Sequence, residues 1–173
     1  MCLALLPCWG RAFINVAMSQ SRPTLTKDSG RVYGRFRGRR YRSEPHIVWV
    51  IGGDINPTKR AGDRRAVYRA MAEGIGRGVT GAKLRWDRHH PRWNDLRMTY
   101  HPDGDPFLNS SNFFHADAWL DANGIETWRS TDQVQTTVEP DDKRDDPVKP
   151  TLFLEGAYEG GRYRHPRRLH LLS

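Results

Sequence analysis

Two carboxylates stand just past apolar runs in this chain: Asp54 follows His46-Ile-Val-Trp-Val-Ile51 and two glycines, and Glu155 closes Thr151-Leu-Phe-Leu. Two such groups can divide the cleavage of a glycosidic bond. One, kept protonated, donates to the leaving oxygen, while the other attacks the sugar carbon or activates water beside it. Their environments must push the two pKa values apart. The pair can meet only if both runs are strands of one parallel array, because the C-terminal edge of such an array is where reactive groups are presented. Spacing alone leaves a second reading open, in which Asp54 caps the turn after Gly52-Gly53 and Glu155 pairs with one of the arginines.

The other candidate strand ends carry rings and a histidine: Trp9, Tyr100-His101-Pro102, Trp128 and Tyr158. Sugars have apolar faces and hydroxyl edges, so an open site with rings and polar donors suits them. Each ring taken singly reads equally as a packing residue. The stretch Asn109-Ser-Ser-Asn-Phe-Phe-His115 is a second candidate lining for the same mouth, with a solvated loop as its default reading. His89, His90, His101 and His115 form no known metal-ligand spacing and have no cysteine nearby, so no metal is expected. Gly52-Gly53-Asp54 lacks the spacing of a phosphate loop, and no cofactor is expected.

The elements that must position these residues follow an α/β rhythm of apolar runs separated by polar, helix-compatible stretches. Leu3 to Trp9 reads as a strand covered on both faces. From Gly30 to Tyr41 the spacing of Val32, Tyr33, Phe36 and Tyr41 predicts a helix that ends before Pro45. Gly30, Gly34 and Gly38 recur every fourth residue and give it a flat face for close packing on a sheet. Residues 46–51 form the clearest strand. Asp63 is placed to cap a helix reaching about Gly76, with Ala66, Val67, Ala70, Met71 and Ile75 on its apolar face. Residues 80–96 read as a loop or short helix, 98–101 and 124–128 as strands, 129–147 as at most a short helix broken near Pro140, and 151–155 as a last strand.

The 173 residues carry 28 Lys+Arg against 20 Asp+Glu, a formal charge of +8, and 37% are hydrophobic. That is one domain with material for a core, despite a mean hydropathy of -0.76. No stretch approaches the roughly 20 apolar residues of a membrane span. The apolar start lacks a basic n-region and a small-residue cleavage site, so it reads as structure and not as a signal. Cys2 and Cys8 alone make no disulfide framework. The competing functional class is nucleic-acid binding, on Arg31, Arg35, Arg37, Arg39, Arg40 and Arg42 interleaved with Tyr33, Phe36 and Tyr41, and on the basic tail Arg162 to Arg168. The same stretch serves as the polar face of an outer helix and carries no RNA-binding signature; a saccharide is the favoured partner.

Five blocks in order, IVWVIGGDINP, AVYRAMAEGI, MTYHPDG, SSNFFHADAWLDANGIETW and KPTLFLEGAYEGG, resemble the apiosidase-like glycoside hydrolases, which comprise glycoside hydrolase family 140 and its relatives. The resemblance runs from about residue 3 to residue 160, with LLPCWG and GRVYGRFRGRRY similar to the strand and helix before the GGD block. It implies one catalytic domain over residues 1–173 with a basic tail from 161, acting on a plant-type polysaccharide. It further implies a (β/α)8 barrel and a retaining pair of carboxylates. On that analogy Asp54, after the fourth barrel strand, is the acid/base. Glu155, after the seventh, is the nucleophile, with Glu159 as a second candidate. Trp9, His101 and Trp128 line the sugar pocket on the same analogy, and the strand-end rings Tyr100 and Tyr158 are counted with them as substrate-binding candidates. The chain departs from the usual pattern at Leu154-Glu155-Gly156, where many relatives read Gly-Glu-Pro, and near Trp128, where many carry His. A full barrel takes about 250 residues, so the expectation is a partial TIM barrel comprising approximately strands 3 to 7.

Overall fold

The computed structural model describes residues 25–59, 62–103, 108–127 and 133–156. Helix α1 spans Lys27–Arg40, strand β1 Trp49–Gly52, helix α2 Arg65–Thr80, strand β2 Met98–His101, helix α3 Ser111–Phe114, strand β3 Asn123–Glu126, helix α4 Gln133–Asp142 and strand β4 Thr151–Glu155. A 3-10 turn, Pro91–Asp95, precedes β2. The strand expected at Leu3 to Trp9 lies outside the described residues.

Helix α1 is capped by Thr26 and begins at Lys27, earlier than the apolar spacing indicates, because Thr26 and Ser29 form a reciprocal capping box. Its glycine face meets α2 and not a sheet. A Cβ at Gly34 would sit 2.3 Å from the Met71 carbonyl oxygen, and one at Gly38 would sit 2.4 Å from that of Ile75. Gly74 and Gly78 on α2 face α1 just as closely. Small residues on both helices let the backbones touch; the outward-turned side chains of α1 leave Val32 and Phe36 largely exposed. Arg31 reaches across to Glu73 at 3.0 Å.

Asp63 accepts from Arg65 N–H at 3.0 Å, so it caps α2 from one residue before the cap position, which Arg64 occupies. The helix runs on past Gly76 to Thr80, because Gly76 is held beneath Leu84 and Trp93, and it stops at Gly81 with φ 76°.

Among the described residues all strand pairing is parallel. β1 pairs with β2, and β3 with β4. β3 also lies beside β2: Asp121 N–H donates to Met98 O, and Thr99 Oγ1 to Ala122 O. Gly124 makes this approach possible, since a Cβ there would fall 2.2 Å from Tyr100 O. Alternation then sorts the residues of each strand. Trp49, Ile51, Met98 and Tyr100 join Tyr68, Met71 and Ile75 of α2, together with Phe114 and Trp119, in the hydrophobic core. The chain is therefore an α/β assembly of short parallel strands with helices between them, and no closed barrel is formed among the described residues. None of the described helices is long and apolar enough to cross a membrane.

Candidate active site

Parallel pairing brings the strand ends to one edge. Gly52 lies opposite His101, and Gly53 N–H donates to His101 O at 3.4 Å. Gly52, Gly53 and Asp54 then adopt φ values of 95°, 140° and 54°, which turn the chain abruptly out of β1. Glycine is required at 52, where a Cβ would meet both His101 O and the Tyr100 ring at 2.7 Å. Aspartate is among the few side chains that tolerate the left-handed region, so the turn ends on an exposed carboxylate.

Across β3 and β4 the register is regular to Ile125, opposite Phe153, and then skips one residue so that Glu126 lies opposite Glu155. Thr127 N–H donates to Glu155 O beyond the skip. A bulge of this kind re-aims side chains at a strand end. Its result is that both carboxylates reach the same imidazole. His101 Nε2 is 3.2 Å from Glu126 Oε2 and 3.4 Å from Glu155 Oε2. The Glu126 side chain is only 3% exposed, that of His101 12%, and that of Glu155 25%. Burial pushes the Glu126 carboxyl above its ordinary range, and the charges of Asp54 and Glu155 push it further the same way, against the pull of His101. Asp54 is thus near enough to act on Glu126 through its charge.

Three of the residues singled out from sequence, Asp54, His101 and Glu155, stand at this edge. Tyr100 does not. It is fully buried, its ring packs against Tyr68 and Phe114, and its hydroxyl donates to Ile55 O at 2.7 Å. One step of strand alternation separates it from His101 and puts it on the core side. Trp9, Trp128, Tyr158 and Glu159 lie outside the described residues.

The stretch 109–115 is interior structure and not a mouth. Asn109 donates to Thr137 O, Ser110 Oγ accepts from Gly124 N–H, and His115 is buried against Asn123. His89 and His90 are exposed elsewhere, with His90 capping the 3-10 turn. The four histidines considered from sequence therefore do not converge. Glu126 is the site residue that sequence reading passed over. It ends the strand Asn123-Gly-Ile-Glu126, which lacks the apolar run that precedes Asp54 and Glu155, and the strand expected at 124–128 places it inside the run and not at its end.

A cleft of about 870 Å³ lies away from this edge, against α1, α2 and the segment after α2, and is lined by Lys27, Arg31, Arg69, Arg77 and Trp86 among others. It shares no residue with the strand-end cluster. Arg69 within it forms two hydrogen bonds to Asp117, at 2.8 and 2.9 Å, and stacks 3.7 Å over the Trp86 ring, which makes it a brace between α2 and the α3–β3 segment.

No curated protein matches this sequence. Among solved structures, the chain is similar to a crystallised glycoside hydrolase family 5 protein from Bacteroides vulgatus ATCC 8482, with 26% identity and a TM-score of 0.53. The likeness covers 78% of this chain and 28% of that one, so the chain spans little more than a quarter of its length. Residues 1–171 match the profile of the Apiosidase-like catalytic domain. With the five sequence blocks and the parallel strand ends in place, the chain belongs to the Apiosidase-like family.

Proposed function

We propose that this chain forms part of a TIM-barrel catalytic domain that hydrolyses a glycosidic bond in a plant-type polysaccharide. The observation that carries the reading is the gathering of Asp54, His101 and Glu155 at one edge of parallel strands, with Asp54 and Glu155 both close enough to act on the Glu126 carboxyl. Asp54 is the acid/base and Glu155 the nucleophile.

In the first step, Glu155 forms a bond to the anomeric carbon as the bond to the leaving oxygen breaks, and Asp54 gives that oxygen its proton. In the second, Asp54 takes a proton from water, the water oxygen bonds to the anomeric carbon, and Glu155 leaves as a carboxylate. His101 borders the nucleophile, and Trp9, Trp128 and Tyr158 supply ring faces to the sugar.

Reducing-sugar release from plant polysaccharides and from a panel of aryl glycosides tests the reading. Asp54→Ala and Glu155→Ala should each lower turnover by about 10²-fold or more; wild-type rates in both variants would refute the assignment.

A further inference from the structure

The cluster at the strand ends has a second property that hydrolysis does not require. His101 Nε2 and Glu126 Oε2 are both shielded from solvent, and neither makes a hydrogen bond, although they lie 3.2 Å apart. Two buried polar atoms at that distance are ordinarily joined by a proton on the line between them. Here no such bond is formed, and Glu155 Oε2 stands 3.4 Å from the same nitrogen. One donor atom from each of His101, Glu126 and Glu155 lies within 4.8 Å of the other two.

That geometry can be compared with a coordination sphere. Metal–nitrogen and metal–oxygen bonds of about 2.0–2.2 Å in a tetrahedron hold neighbouring donors about 3.3–3.6 Å apart. The two edges from His101 Nε2 are 3.2 and 3.4 Å. One imidazole and two carboxylates leave the fourth position for water, the arrangement of an open zinc site and not of a closed structural one. The donor set also sorts the candidates, since calcium and magnesium take oxygen ligands and have no use for an imidazole nitrogen.

We propose that His101, Glu126 and Glu155 bind one divalent first-row transition ion of the zinc type. Nothing in the sequence spacing shows it, because the three donors end three different strands and meet only through parallel pairing and the bulge between β3 and β4. Binding requires a neutral imidazole and two ionised carboxylates, so it displaces whatever protons they hold. The site shares Glu155 with the proposed nucleophile, so a bound ion would oppose hydrolysis and not assist it; the two readings are tested apart, since ion binding can be measured whether or not any sugar is cleaved, and hydrolysis can be present without it.

The test uses the full chain carrying Cys2→Ser and Cys8→Ser, which removes the thiols as competing ligands, after treatment with chelator. Titration with zinc chloride should give one equivalent bound, and His101→Ala or Glu126→Gln should weaken that binding about a hundredfold, with folding of each variant checked by circular dichroism. Cobalt chloride should give the intense visible absorption of a tetrahedral ion, and excess magnesium chloride should not displace it. A His89→Ala/His90→Ala variant should bind like its parent. As a measurement needing no substitution at the site, zinc should protect His101 from carbethoxylation, read by peptide mass. Equal zinc affinity in the parent, His101→Ala and Glu126→Gln chains would overturn the proposal, as would an unprotected His101 at saturating zinc.

Discussion

Glu126 and Glu155 come opposite each other because the β3–β4 register skips one residue after the pairing of Ile125 with Phe153. The skip lets a buried acid and a partly exposed acid approach the same His101 nitrogen from neighbouring strands. Their burial differs, and with it their chemistry. In the proposed mechanism Glu155 reacts and Glu126 supports it. Glu155→Gln should therefore lower turnover on aryl glycosides by about 10³-fold, within the range for removing an essential reacting group. Glu126→Gln should retain more than a tenth of the wild-type rate. Steady-state kinetics decides between them; equal losses in both variants contradict the division of roles.

The α1–α2 contact rests on absent side chains. A methyl at Gly34 meets Met71 O and cannot be accommodated by rotating a side chain, because the obstacle is backbone. Gly34→Ala should destabilise the chain by about 1–3 kcal/mol through overpacking. Val32→Ala, at a position 70% exposed on the same helix, should change stability by less than about 0.5 kcal/mol. Urea unfolding measures both, and an unchanged midpoint for Gly34→Ala is the contrary result.

Asp117 is nearly inaccessible and satisfies three donors: Arg69 Nε, Arg69 Nη2 and the Trp119 indole N–H. Asp117→Ala leaves a partly buried guanidinium and a buried indole without their acceptor. The expected cost is about 3–5 kcal/mol, measured as a fall in the denaturation midpoint. A loss below about 1 kcal/mol, the level of an exposed pair, would mean that the brace does not act as described.

A pH dependence follows from Asp121, which accepts from Met98 N–H at the start of β2. Burial holds its carboxyl above the usual range, against the opposing effect of that bond. For a raised carboxyl the stabilising contribution is fully present below the unfolded pKa, about 3.9, and is lost as pH rises through the higher folded value. Asp121→Asn keeps an oxygen for Met98 N–H and carries no charge. Its thermal midpoint should exceed that of the parent chain at pH 7, and the difference should shrink as pH falls through the raised folded value and level off by about pH 4. A lower midpoint at pH 7 contradicts this reading.

Much of the fold is legible in short strings. The β-branched run before Gly52 and the runs at 98–101 and 151–155 read directly as strands. The α1 and α2 periodicities read as directly as helices, because each signal is local. The glycine stripe on α1 was readable as a close-packing face but its partner was not, since Gly74 and Gly78 complete the contact from a helix some forty residues away. Tyr100 and His101 differ by one place along β2, and only the three-dimensional core decides which of the two turns inward. For the same reason the acids at 54 and 155 could be picked as strand ends, while Glu126 was overlooked: its importance comes from a register skip that no single strand records. The bulge is a relation between two segments, and sequence periodicity describes one segment at a time.

The central claim, that Asp54 and Glu155 act on one saccharide as acid/base and nucleophile, is tested most directly by azide rescue on an activated aryl β- or α-glycoside that the parent chain hydrolyses. With Glu155→Ala, azide should take the place of the missing carboxylate and give a glycosyl azide of inverted anomeric configuration. With Asp54→Ala, azide should attack the glycosyl–Glu155 intermediate and give the retained anomer, both read by proton nuclear magnetic resonance. Rescue of neither variant, or the same anomer from both, would contradict the assignment.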